Sequence, residues 1–324
     1  MMLLAGDVGG TKTLVGLFDP RARRPHPIAV RAFHTMEYGA LAAIVAEFVR
    51  DPSVAGAPIR AACFGVAGPV LGDTAELTNV PWRVETAPLA KKFGFARVDL
   101  LNDLQAMAYG VTVLEPSEVH VLRQGDAVRA GSVSLIAAGT GLGEAFLHNI
   151  EGRLIPAALE GGHADFSARN EREIRLLRWL LERNGRAEVE DVVSGRGLVN
   201  IHQVAHNEAC TAIDDLTSAD APAAITKAGL DRTCRGCVDT LEMFVDAYGA
   251  EAGNLALRMV TTGGAFVGGG IAPKILPALT DGRFLRAFTS KPPFDELLSK
   301  MPVKVILNNE IALVGAALFA ARPT

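Results

Sequence analysis

Apolar and polar positions near the start of the chain fall into two short runs broken by glycine. An apolar run from Leu3 to Val8 meets Gly9-Gly10, and alternation resumes through Thr13, Val15 and Leu17 to Asp19. This patterning predicts two strands joined by a tight turn. From Ser132 the device recurs: Ser-Val-Ser-Leu-Ile-Ala-Ala, a Gly/Thr turn from Gly139 to Gly143, and a second strand through Phe146.

The remaining periodicity predicts a mixed α/β chain. Strands are expected over 28–33, 59–66, 76–78, 98–101 and 303–307. Helices are expected over 41–49, 88–93, 171–183, 198–204, 221–228, 237–259 and 311–321, with another starting at Asn102-Asp103 and running to Val111. Residues 205–219 read as a polar loop. The stretch 260–271 reads as a strand interrupted by glycines, with Pro273 opening a helix. The Ala-rich last helix is expected to pack tightly on a neighbour and bring the C-terminus back to the first lobe.

Chemistry enters at the turns. Glycines at 9 and 10 let backbone N–H groups approach an anion, Thr11 adds a hydroxyl, and Asp7 sits where a metal on a phosphate could be held. An ordinary hairpin turn explains the same residues. The second copy favours phosphate, because two such hairpins can grip a polyphosphate from both sides. The chain has no G-x-x-x-x-G-K-[ST] loop, and Gly6 to Gly10 does not open into a helix as a dinucleotide fingerprint requires. Asn102 and Asp103 are N-cap residue types, and they also stand at a strand's C-terminal end, where α/β sheets bind ligands. Helix polarity there favours an ionised carboxylate, a usable proton acceptor. Glu160 and His163 flank two glycines in a loop without apolar periodicity, which points to a polar ligand site. Asn79 and Trp82 share a turn that suits sugar binding, although Trp82 reads more readily as core. Gly268, Gly269 and Gly270 provide either a flat surface for adenosine or close strand–helix packing.

Size and composition narrow the classes. At 324 residues, two α/β lobes are the default reading. A formal net charge of −4 argues against a nucleic-acid surface. No uncharged apolar run reaches the ~18 residues of a membrane span, and the start carries no basic flank, so a cytoplasmic location without membrane partners is expected. Of the four cysteines, Cys234 and Cys237 have C-x-x-C spacing with no second pair near them to complete a tetrahedral zinc site. They are expected to be structural or incidental.

In order along the chain, Asp7-Val8-Gly9-Gly10-Thr11, Leu101-Asn102-Asp103, Ala138-Gly139-Thr140-Gly141-Leu142-Gly143, Glu160-Gly161-Gly162-His163-Ala164-Asp165-Phe166, Ser194-Gly-x-Gly-Leu-Val-Asn200 and Gly268-Gly269-Gly270-Ile271 resemble the bacterial glucokinase family over almost the whole chain. The resemblance implies an actin-like, duplicated ribonuclease-H-type fold of two lobes with a central cleft, here 1–108 plus 309–324 and 109–308. It implies ATP and Mg²⁺, glucose phosphorylated at its 6-hydroxyl in the first step of glycolysis, and commonly a homodimer. Carried over, Asp103 is the general base and Asn102 its neighbour on the sugar. Glu160, His163 and Glu190 are further sugar contacts, with Glu188 an alternative to Glu190, and Asn79 is a possible one. Gly6, Asp7, Val8, Gly9, Gly10 and Thr11 form the first phosphate loop, Gly139, Thr140 and Gly141 the second, and Gly268 to Gly270 meet adenosine. A kinase of mannose, fructose or an N-acetylated hexosamine with the same fold is the alternative.

Overall fold

The structure is a computed structural model and describes residues 1–324 except 22, 79, 129–130, 207–209, 211 and 323–324. The chain divides into two compact units: Met1–Pro116 with Asn308–Thr324, and Ser117–Leu307.

In unit 1 the first hairpin is β1 (Met2–Val8) and β2 (Lys12–Asp19), followed by β3 (His26–His34), α1 (Leu41–Phe48) and β4 (Ile59–Val66). A small sheet of β5 (Val70–Leu71), β6 (Thr74–Glu76) and β7 (Arg83–Glu85) precedes α2 (Thr86–Phe93), β8 (Arg97–Asn102) and α3 (Asp103–Val111). The main sheet runs β3-β2-β1-β4-β8; β1, β4 and β8 are parallel, and β2 and β3 antiparallel.

Unit 2 begins with β9 (Val119–Arg123), then the second hairpin β10 (Val133–Ala138) and β11 (Leu142–Ile150), and β12 (Arg153–Leu159). Helices α4 (Glu171–Asn184), α5 (Gly195–Ala205), α6 (Ala221–Leu230) and α7 (Arg235–Met259) lead to β13 (Gly264–Gly268). Short helices α8 (Leu276–Leu279), α9 (Arg283–Thr289) and α10 (Asp295–Lys300) then reach β14 (Val303–Ile306). The sheet order is β12-β11-β10-β13-β14-β9, so its first five strands repeat the order and pairing senses of unit 1. The expected duplication is present in the topology. The last helix, α11 (Ile311–Ala320), returns to unit 1 and lies against α3.

Each unit buries its own core. Leu4, Val15, Phe33, Phe48 and Phe64 fill the first, and Ile136, Leu176, Phe244, Tyr248 and Phe284 the second. Each such side chain contributes roughly 1.5–3 kcal/mol by leaving water. Trp82 is in the first core. Glycine permits the α3–α11 contact: a Cβ on Gly315 would lie 1.8 Å from the Ala106 carbonyl oxygen.

Local differences from the periodicity have local causes. The 260–271 stretch is a strand only over Gly264–Gly268, because Val260 takes a left-handed conformation (φ 47°) and Gly269 another (φ 83°), which break the extended backbone on both sides. Pro273 lies in turns, and the helix begins at Leu276. The short strand expected at 76–78 is Thr74–Glu76, since Thr74 and Glu76 pair with Glu85 and Arg83. The helix expected over 198–204 begins three residues earlier, at Gly195. A boundary at 108 would cut α3, whose three further residues Tyr109–Val111 remain in unit 1.

Candidate functional site

In unit 1 the register of three parallel strands brings the candidate carboxylates to one sheet end. Asp7 stands beside Gly65 and Gly65 beside Leu101; one position on, Val8 stands beside Val66 and Val66 beside Asn102. Asp103 follows as the first residue of α3. Asn102 caps that helix: its Oδ1 accepts from the Leu104 N–H at 3.0 Å, and its Nδ2 donates to the Gly68 carbonyl at 3.3 Å. The Asp103 carboxylate accepts from the same Leu104 N–H at 2.8 Å. Burial, then repulsion from the nearby Asp103 carboxylate, raises the Asp7 pKa to about 7, while Lys12 acts to lower it.

The first glycine turn is closed by a hydrogen bond from the Gly9 N–H to the Lys12 carbonyl at 3.1 Å. Thr35 pins it from the side. Its hydroxyl donates to the Gly9 carbonyl at 2.8 Å, its N–H to the Thr11 carbonyl at 3.0 Å, and buried Thr13 meets the same hydroxyl at 2.9 Å. Sequence reading missed Thr35, since nothing local marks a threonine after a strand as the support of a turn far back in the chain.

In unit 2 the two remaining glycine motifs sit side by side. β10 and β13 run parallel with Ala137 beside Gly268, so the Gly139–Gly141 turn and Gly268–Gly270 leave the same sheet end. A Cβ on Gly269 would lie 2.2 Å from the Ala138 carbonyl oxygen. The buried Tyr248 hydroxyl accepts from the Ala138 N–H at 3.2 Å and donates to the Gly268 carbonyl at 3.1 Å, tying both motifs to α7. The N-terminus of α5 touches the same place, the Gly195 N–H donating to the Gly139 carbonyl at 2.8 Å.

The acidic residues gather on that turn. Glu190 Oε2 accepts from the Leu142 N–H at 2.7 Å. Glu188 Oε2 lies 3.1 Å from His163 Nδ1, and Arg196 reaches both acids, at 3.3 Å and 3.4 Å. His163, Glu188 and Glu190 therefore offer donor atoms within 4.8 Å of one another. Both candidate acids are in the cluster. Glu160, exposed, precedes the turn that carries His163, and that turn sits against β11: a Cβ on Gly162 would lie 2.4 Å from the Leu142 carbonyl oxygen. Asn79 lies outside the described residues.

The Cys234–Cys237 pair is not isolated. His202, His206 and Cys210, remote in sequence, come to it in space. The sequence pattern hid this because the partners sit at the end of α5 and in the segment beyond it.

The family model described as Glucokinase matches residues 4–323. The chain is 40% identical to a glucokinase of Nostoc punctiforme, with 99% of each chain covered. It is 36% identical to a glucokinase of Synechocystis, with 98% of each covered. Among solved structures it resembles a glucokinase from an Antarctic psychrotroph (TM-score 0.85, 26% identity, 98% of each chain). A glucokinase from Balamuthia mandrillaris in complex with glucose shares the fold at TM-score 0.82 and 23% identity, over 99% of this chain and 94% of that one. Among the described residues, no helix is long and apolar enough to cross a membrane.

Proposed function

Because the chain belongs to the glucokinase family and phosphorylates glucose, we propose that ATP gives its γ-phosphoryl group to the sugar's 6-hydroxyl and that Asp103 takes the hydroxyl proton. The observation that carries this reading is the placement of Asp103 on the first turn of α3, at the end of β8 and beside Asp7. A helix N-terminus favours an ionised carboxylate, and an ionised carboxylate is the form that accepts a proton.

Phosphoryl transfer asks little covalent chemistry of a protein; positioning and charge neutralisation do most of the work. Gly6–Thr11 in unit 1 and Gly139–Gly141 in unit 2 present backbone N–H groups suited to phosphate oxygens, and Gly268–Gly270 offer a side-chain-free surface for adenosine. A divalent cation suits Asp7. Burial and a neighbouring carboxylate keep that group partly protonated near neutrality, a state a positive charge relieves, and its oxygens are the donors Mg²⁺ prefers. Bound there, Mg²⁺ would neutralise charge on the phosphates.

Asn102, Glu160, His163 and Glu190 are the proposed hydroxyl partners. Each sugar hydroxyl both donates and accepts, and this set supplies both capacities. An acceptor missing one hydroxyl would leave a polar group unpaired, which is how such a site selects. The proposal extends to a cytoplasmic homodimer, the pairing being testable by light scattering.

The base assignment is tested by Asp103→Asn in an assay coupled to ADP release. The expected kcat falls by ~10²–10⁴ while the glucose KM stays within about tenfold. Near-normal turnover removes Asp103 from the role. The same assay with mannose, fructose and N-acetylglucosamine measures how strictly glucose is preferred.

A further inference from the structure

Five soft or borderline metal donors converge at one point in unit 2. α5 carries His202 in its last turn, and His206, its C-cap residue, follows four positions on, with the two ring centroids 4.8 Å apart. α7 starts opposite them, with Cys234 as its N-cap residue and Cys237 in its first turn. Cys210 comes in from the connection between α5 and α6. Its Sγ lies 3.8 Å from Cys234 Sγ and 3.8 Å from Cys237 Sγ, and His206 Nε2 lies 3.1 Å from Cys234 Sγ. Donor atoms of His202, Cys210 and Cys237 fall within 4.8 Å of one another, as do those of His206, Cys210 and Cys234.

We propose that these residues form a structural zinc site, with Cys210, Cys234 and Cys237 as thiolate ligands and an imidazole of the His202–His206 pair as the fourth. Sulfur atoms at adjacent corners of a tetrahedron with Zn–S bonds of ~2.3 Å are about 3.8 Å apart, the spacing Cys210 keeps from both other thiols. Three thiolates and an imidazole are a zinc set, whereas magnesium and calcium take oxygen donors.

A second observation points the same way. His202 is 2% exposed, and neither of its ring nitrogens has a hydrogen-bond partner among the described residues; His206 Nδ1 also lacks one. Buried polar atoms are almost always paired, and unpaired ones call for an unseen ion or water. A pocket of about 420 Å³ lined by His202, His206 and Cys210 also carries Asp214 and Asp215, whose carboxylates would draw a cation inward.

Four protein ligands leave no open position, so the role is structural. The metal would fasten the end of α5 to the start of α7. The other end of α5 abuts the Gly139 turn, and α7 carries Tyr248, which ties that turn to Gly268. Each thiol gives up its proton to solvent on ligation, so binding is coupled to pH.

The test is elemental analysis of the full chain, produced with zinc in the medium and purified without chelators. About one zinc per chain is expected, lost in Cys234→Ser and in Cys237→Ser. If those variants fail to fold, metal-stripped native chain is titrated with Co²⁺, where thiolate-to-cobalt charge transfer and strong tetrahedral d–d absorption are expected. His202→Ala and His206→Ala assayed separately identify the fourth ligand by loss of that spectrum. Absence of both zinc and a cobalt–thiolate spectrum, or free-thiol counts revealing a disulfide in the zinc-free chain, overturns the site.

Discussion

Glu190 holds the second glycine turn: its Oε2 accepts a 2.7 Å hydrogen bond from the Leu142 N–H. Gly141 makes room for it, since a Cβ there would lie 2.5 Å from the same oxygen. One carboxylate thus braces the turn assigned to phosphate and stands within 4.8 Å of His163, assigned to the sugar. Hydrogen bonds to charged groups contribute about 1.5–3 kcal/mol, or roughly 10- to 150-fold. Glu190→Ala is therefore expected to lower kcat/KM by at least tenfold and to raise KM for both ATP and glucose. Glu190→Gln keeps an acceptor for Leu142 and should leave the ATP KM within about threefold while the glucose KM rises. Steady-state kinetics with each substrate varied in turn separate the two.

Tyr248 bridges the two unit 2 glycine motifs through one buried hydroxyl. Removing it leaves the Ala138 N–H and the Gly268 carbonyl without that partner, a cost of about 1–3 kcal/mol for a buried group. Tyr248→Phe should lower the unfolding free energy of the chain by that amount in urea titrations. It should also raise the ATP KM more than the glucose KM.

The α3–α11 contact leaves no space at Gly315, where a Cβ would meet the Ala106 carbonyl oxygen at 1.8 Å. Backbone cannot yield as a flexible side chain does, so Gly315→Ala is expected to cost about 3 kcal/mol. A lowered denaturation midpoint with unchanged m-value checks it.

Glu144 is buried on β11, and burial, then Glu251, raises its pKa to about 8 although Arg258 acts to lower it. The folded chain therefore holds a proton that the unfolded chain has lost above pH ~4.5. With more protons bound in the folded state, stability falls as pH rises, over a window from ~4.5 to about 8. Glu144→Gln removes this dependence. Against the parent it should gain up to about 5 kcal/mol at pH 8.5 and almost nothing at pH 4.5, as read from melting curves across that range.

Alternation on either side of Gly9-Gly10 and of Gly139 to Gly143, with helical spacing over 41–49, 171–183, 221–228 and 237–259, was enough to place both hairpins and most long elements. Those signals are local: a strand or a helix face is written in residues two to four apart. Asn102 as the cap of α3 was legible for the same reason. Boundaries set by partners were not. β6 starts and ends where β7 offers pairing, and the strand near Gly268 stops where left-handed Gly269 bends the backbone.

Order along the chain also fixed the kinship, because short motifs in sequence carry it without coordinates. Only the tertiary structure decided which side chains meet. Glu188 and Glu190 both reach the His163 cluster, Thr35 supports a turn formed much earlier in the chain, and Cys234 and Cys237 acquire Cys210, His202 and His206. Such meetings follow from strand register and helix packing across tens of residues. Nothing in the neighbourhood of either partner encodes them.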